Sequence, residues 1–225
     1  MGRFAQKAGV KGSLRNIQVL INNHPALLTL RIQEILKQPS EIEWISPKKD
    51  DGYAEYRDAE FLKKLGCYPL RVPLESFWPS LGPQWDGLGK SGESLFLIEA
   101  KANIPEILSP PMKARNESSI QLIKKSLEET KRFVNSKSKA DWSNVFYQYT
   151  NRLAHLYHLK HLNGKSAYLI FLYFTGDASV DGQPTTREEW YGAIRLMKEY
   201  LGIGMRNKLS PYILDIYIDV SEISR

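Results

Sequence analysis

A chain of 225 residues that is 42% hydrophobic and 25% charged has the composition of one globular domain with a full core, and bulk disorder is excluded. Its formal charge of +6 is concentrated, because Lys113 to Lys139 holds eight basic residues against three acidic ones, a net of +5, and leaves the remainder nearly neutral. The single cysteine, Cys67, rules out an intramolecular disulfide framework and a cysteine-rich zinc site, and fits a reducing compartment.

From the N-terminus, residues 1–13 are basic but lack the apolar core of a signal peptide, so a cytoplasmic protein with no membrane partner is expected. Residues 14–36 are predicted to be helical, capped by Ser13 and interrupted at Pro25. Residues 42–45 read as a short strand and 48–52 as a charged turn. Residues 53–65 read as a helix with Phe61, Leu62 and Leu65 on its apolar side and Gly66 as a left-handed cap. Candidate strands follow at 68–74, 85–88 and 95–102, with Pro69, Pro73, Pro79 and Pro83 at edges and turns. A loop over 105–111 leads to helices at 118–134 and 141–162, the second ended by Asn163-Gly164. Residues 168–175 form a buried strand too short to cross a bilayer. Thr186 and Glu189 form a capping box opening a helix that stops before Gly202, and 212–220 alternates, with Leu214, Ile216 and Ile218 inward and Asp215 and Asp219 outward.

The chemistry lies in Trp85-Asp86-Gly87 and in Leu97-Ile98-Glu99-Ala100-Lys101. Side chains alternate along a strand, so Glu99 and Lys101 share a face, and apolar residues of both parities before them describe a strand buried on both sides. A carboxylate and an ammonium are tolerated there only if they compensate one another or bind something charged. Asp86, across a Gly-rich turn, supplies a second carboxylate for a divalent cation, which points to a metal-dependent phosphodiesterase. The other acid-x-lysine pair, Glu129 and Lys131, lies on a helix, where residues two apart diverge.

Competing patterns fail on context. Gly87 to Gly92 satisfies G-x-G-x-x-G, but a strand follows it instead of the helix a phosphate-binding loop requires, so a hairpin turn with glycines at positive φ is expected. His155, His158 and His161 fan around a helix and read as surface or interface residues rather than ligands. Lys124 with Glu128 and Lys125 with Glu129 are i, i+4 pairs on a solvated face, although the surrounding basic run also suits a polyanion. Gln148, Arg152 and His155 share a helix face opposite Trp142, Tyr149 and Leu153, which places Gln148 and Arg152 at the edge of the site.

Asp86, Glu99-Ala100-Lys101 and the order helix, three strands, helices, strand across residues 53–175 resemble the PD-(D/E)xK superfamily, the fold of many restriction endonucleases, junction resolvases and helicase-associated exonucleases. Trp85 stands where that family usually has proline, the nearest being Pro83. The resemblance implies a single α/β domain with a restriction endonuclease-like αβββαβ core at 53–175, its central mixed sheet flanked by helices, preceded by an N-terminal helical extension at 1–50 and followed by a helix and strand at 176–225. It implies catalytic roles for Asp86, Glu99, Lys101 and Glu55, the last at the start of the first core helix. It implies Mg²⁺ or Mn²⁺ held by Asp86, Glu99 and the backbone carbonyl of Ala100, and nucleic acid, DNA before RNA, as substrate. Gln148 and Tyr149 resemble the glutamine and tyrosine of one branch, and with Arg152, Lys124 and Lys125 they complete the expected substrate contacts. A second copy of the chain, as a homodimer, is the protein partner allowed for. The rival expectation is a catalytically silent nuclease fold that binds nucleic acid or serves as a scaffold.

Overall fold

The parity of apolar residues along five strands decides what each face of the central sheet packs against. The computed structural model describes residues 2–37, 41–180, 183–204 and 206–224. In chain order the elements are β1 (Arg3–Phe4), α1 (Gly12–Asn23), α2 (Pro25–Leu36), β2 (Glu43–Ser46), β3 (Glu55–Tyr56), α3 (Asp58–Lys64), β4 (Gly87–Ser91), β5 (Ser94–Lys101), α4 (Glu117–Phe133), α5 (Tyr147–Tyr157), β6 (Ser166–Thr175), α6 (Arg187–Tyr200) and β7 (Ile213–Asp219). The sheet runs β2-β4-β5-β6-β7, antiparallel from β2 through β5 and parallel from β5 through β7, while β1 and β3 form a separate antiparallel pair.

On β5, Phe96, Ile98 and Ala100 face Ile17, Leu20 and Ile21 of α1 and Leu28 and Ile32 of α2. Leu95 and Leu97 belong to the opposite core, built with α4, α5 and α6 through Leu127, Leu153, Trp190 and Met197. Each side chain so buried contributes roughly 1.5–3 kcal/mol. The result is an α/β protein whose five-stranded mixed sheet is covered by helices on both faces. No helix among the described residues is long and apolar enough to cross a membrane.

Several elements differ from their sequence expectation. The first 50 residues are not an appendage, because α1 and α2 cover one face of the sheet and β2 forms its edge. Ser13 lies inside α1, whose N-cap is Lys11. The helix predicted over 53–65 shrinks to α3, since the left-handed backbone angles of Tyr53 and Asp58 (φ 49° and 53°) let no helix run through them and α3 starts only at Asp58, and Glu55 falls on β3. The Asp58 carboxylate accepts the N–H groups of Leu81 (3.2 Å) and Gly82 (2.9 Å) and so ties this turn to the loop before Asp86. No strand forms at 68–74, where Pro69 and Pro73 lack the donors a ladder needs. The helix predicted from 141 begins only at Tyr147, after Phe146 at φ 64°, and closes in a wider π-turn at His158–Leu162. The box of Thr186 and Glu189 opens α6, with bonds of 3.2 and 2.8 Å.

The β4–β5 hairpin uses its glycines in two ways. Gly92 turns it at φ 54°, whereas Gly87 and Gly89 are strand residues: a Cβ on Gly87 would meet Ile98 Cδ1 at 2.9 Å, and one on Gly89 the Trp44 ring at 2.8 Å. These two glycines therefore serve close packing, not positive φ.

Candidate active site

Asp86 precedes β4, and because Gly87 pairs with Ile98, it comes to lie beside the end of β5. The Ala100 N–H donates to Asp86 Oδ2 at 2.7 Å. Parity then turns Glu99 and Lys101 toward α5. Lys101 Nζ donates to Glu99 Oε1 at 2.5 Å and to Gln148 Oε1 at 2.9 Å. Gln148 and Arg152 are one helical turn apart, so Arg152 reaches the same strand. Its Nε and Nη2 approach Glu99 Oε2 at 2.7 and 2.5 Å. Three further contacts fix the guanidinium: Nη1 donates to Asn151 Oδ1 at 2.9 Å, Nη2 donates to the Gln84 carbonyl at 2.7 Å, and the plane lies 4.8 Å from the Trp85 ring centre. Glu55, on β3, accepts from Gln84 Nε2 at 2.5 Å.

Glu55, Asp86, Glu99, Lys101, Gln148 and Arg152 all line one cleft of about 790 Å³. Its electrostatics divide the acids. Burial, reinforced by Glu99 and then Glu55, pushes the Asp86 carboxyl well above the usual carboxylate range. Burial also raises Glu55, with Glu99 adding to it. Glu99 is buried too, but Arg152 and Lys101 outweigh that cost and hold it below its ordinary value. Burial disfavours the Lys101 ammonium, yet Glu99 and Asp86 hold its pKa above that of an ordinary lysine.

Asp86, Glu99 and the Ala100 carbonyl are the groups that could hold a hard cation. Asp86 Oδ1 has no hydrogen-bond partner among the described residues, since only Oδ2 is engaged. A strand residue presents its N–H and C=O to the same side, so the Ala100 carbonyl leaves β5 toward Asp86. Two carboxylates and a carbonyl are a donor set magnesium accepts, with water filling the remaining positions. Glu55 stands outside it, and among the described residues no group of three or more His, Cys, Asp and Glu side chains is arranged to hold a metal.

The other residues singled out by sequence divide clearly. Tyr149 is core: its ring stacks on Phe171 at 4.4 Å and its hydroxyl is buried without a partner. Lys124 and Lys125 are exposed on α4 outside the cleft. His155 and His158 are buried rather than superficial. His155 Nδ1 donates to the Asn151 carbonyl (2.9 Å) and the ring meets Trp78 edge-on at 4.9 Å, while His158 stacks on Phe77. Three further cleft residues had not been singled out as site residues. Lys113 and Arg115 line it just before α4, and the basic run that contains them was their only signal. Gln84 had none, because its role depends on the turn that brings the loop before Asp86 against Glu55 and Arg152.

Compared with family models, with curated proteins and with solved structures, the chain matches none.

Proposed function

We propose that this protein is a divalent-metal-dependent nuclease of the restriction endonuclease-like type, hydrolysing phosphodiester bonds of nucleic acid, DNA before RNA. The observation that carries the reading is the meeting of Asp86, Glu99 and Lys101 in one cleft, from the start of one strand and the end of its hairpin partner. The order of elements supports it, with the αβββαβ core running from α1 and α2 through β2, β4 and β5 to α4, α5 and β6, so that residues 53–65 are an insertion. Mg²⁺ or Mn²⁺, held by Asp86, Glu99 and the Ala100 carbonyl, supplies Lewis acidity and a polarised water. The chain's own residues do the rest. Lys101 keeps a fixed positive charge where negative charge develops on the phosphoryl oxygens, and Gln148 and Glu99 aim it. Arg152 orients Glu99, and Lys113 and Arg115 meet neighbouring phosphates.

One observation favours a second reading, a nuclease fold that binds nucleic acid without cutting it: both Glu99 oxygens already accept from cations. Incubation of the purified protein with single- and double-stranded DNA and RNA, in Mg²⁺, Mn²⁺ or EDTA, decides between them. Cleavage that needs metal and disappears in Asp86→Asn is expected, along with a metal-induced rise in thermal midpoint that the same variant loses. Binding without cleavage under every condition establishes the second reading, and cleavage that survives EDTA or Asp86→Asn overturns the first.

A further inference from the structure

We infer that Leu81 is an apolar wedge that enters between two adjacent bases of the bound nucleic acid, and that it directs this cleft to places where base stacking is already broken. The inference rests on the nucleic-acid reading above and narrows its substrate, and it does not involve a metal ion.

Leu81 lines the cleft that also holds Asp86, Glu99 and Lys101. It is 70% exposed, and among the large hydrophobic residues described only Val10 is more so. Its backbone is left-handed, with φ at 67°, the largest value of any described non-glycine residue. A leucine resists that conformation, which glycine takes freely. Phe146 shares it at φ 64°, but its ring is 8% exposed and belongs to the core, which offsets the strain. The Leu81 side chain buries too little for that. Folding alone would therefore favour glycine here, and a leucine kept against that preference points to a contact made outside the chain.

The turn holds the backbone of the wedge in place. Asp58 accepts from the N–H groups of Leu81 at 3.2 Å and Gly82 at 2.9 Å, and a Cβ on Gly82 would meet the buried Trp78 ring at 3.2 Å. Pro79 and Pro83 restrict the chain on either side. An apolar tip on so fixed a base loses little freedom on binding, which favours insertion between bases. The surroundings fit a nucleic acid: Lys101, Lys113 and Arg115 line the same cleft and suit phosphates, while Leu81 offers the bases an apolar contact that those cations lack. Unstacking a base step costs free energy in a continuous duplex, and a mismatched pair removes much of that cost.

The test compares a fully paired short DNA duplex with one carrying a central mismatch flanked by 2-aminopurine, both in EDTA so that nothing is cut. Wild type is expected to bind the mismatched duplex at least about tenfold more tightly and to raise the 2-aminopurine fluorescence, which reports unstacking. Leu81→Ala and Leu81→Gly are expected to lose both effects, and Leu81→Met to keep them. The thermal midpoints of all three should stay within about 2 °C of wild type, as at other exposed positions. A preference retained in Leu81→Ala, or absent from wild type, overturns the inference while leaving nucleic-acid binding standing, and so does binding of the separated strands alone. No binding of either duplex or of the separated strands overturns both. A larger fall in thermal midpoint in Leu81→Ala and Leu81→Gly makes the leucine part of the core and overturns the inference as well.

Discussion

Lys101 and Gln148 meet at 2.9 Å across the gap between a strand and a helix, and that contact aims the ammonium into the cleft beside Asp86 and Glu99. Lys101→Ala is expected to lower the single-turnover cleavage rate by on the order of a hundredfold or more, the scale of losing one preorganised electrostatic donor. Affinity should barely change, because one cation is a small part of a polyphosphate footprint. Full single-turnover activity in a preparation free of contaminating nuclease would remove Lys101 from the chemistry. The pairing of Glu99 with Lys101 was legible from sequence, because strand parity is a local property. For Tyr149 the helical pattern pointed to the apolar face and the family resemblance to the substrate, and the ring is core. Adjacent helical residues point about 100° apart, so placing Gln148 on the strand's charges sends Tyr149 onto Phe171. His155 shows the cost of the same ambiguity. Burial lowers its pKa to about 3, and the backbone bond to Asn151 offsets only part of this. Its folded pKa lies below the unfolded value of about 6.5, so the neutral ring stabilises the fold fully above that value, and the contribution falls as pH drops toward 3 by on the order of 1.4 kcal/mol per unit. Thermal midpoints measured from pH 4.5 to 7 should fall with acid less steeply in His155→Phe than in wild type. Equal slopes would mean that His155 is not buried as a neutral ring.

At the scale of elements, sequence reading succeeded where a local signal sufficed. Thr186 and Glu189 box the start of α6, and the alternation of β7 matches its burial. It failed where distant contacts decide. The chain at 53–65 has helical spacing, but Asp58 is held left-handed while its carboxylate serves the loop at Leu81 and Gly82. The glycines of β4 were likewise assigned to a turn, although Gly89 exists to admit a ring from β2. Trp44 is buried and its Nε1 donates to Thr29 on α2 at 3.1 Å, so it cannot yield to a Cβ that would sit 2.8 Å away. Gly89→Ala should therefore cost about 1–3 kcal/mol of stability, as overpacking does, and lower the thermal midpoint by several degrees. Gly92→Ala, where φ is 54° but no atom stands within 4 Å, should lose only about 1 kcal/mol. A Gly89→Ala protein as stable as wild type would contradict the packing assigned to Trp44.

Over the whole molecule the excess charge is divided between two surfaces that the sequence presents as one run. Lys113 and Arg115 line the cleft that holds Asp86 and Glu99, whereas Lys124 and Lys125 sit further along α4, exposed and outside it. The sequence showed the concentration of charge but not its partition, because the proline-containing loop ahead of α4 bends the first two cations toward the site. Phosphate contacts dominate affinity for nucleic acid and release counterions, so each lost contact to duplex DNA reduces the slope of log affinity against log salt by about 0.9. Lys113→Ala with Arg115→Ala is therefore expected to weaken binding to a DNA duplex, measured in EDTA so that nothing is cut, and to reduce that slope by roughly two. Lys124→Ala with Lys125→Ala should leave both nearly unchanged. The reverse pattern, with the slope falling only when the α4 pair is removed, would place the polyanion across the outer face of α4 and away from Lys101, and a nuclease whose substrate lies there could not use this cleft.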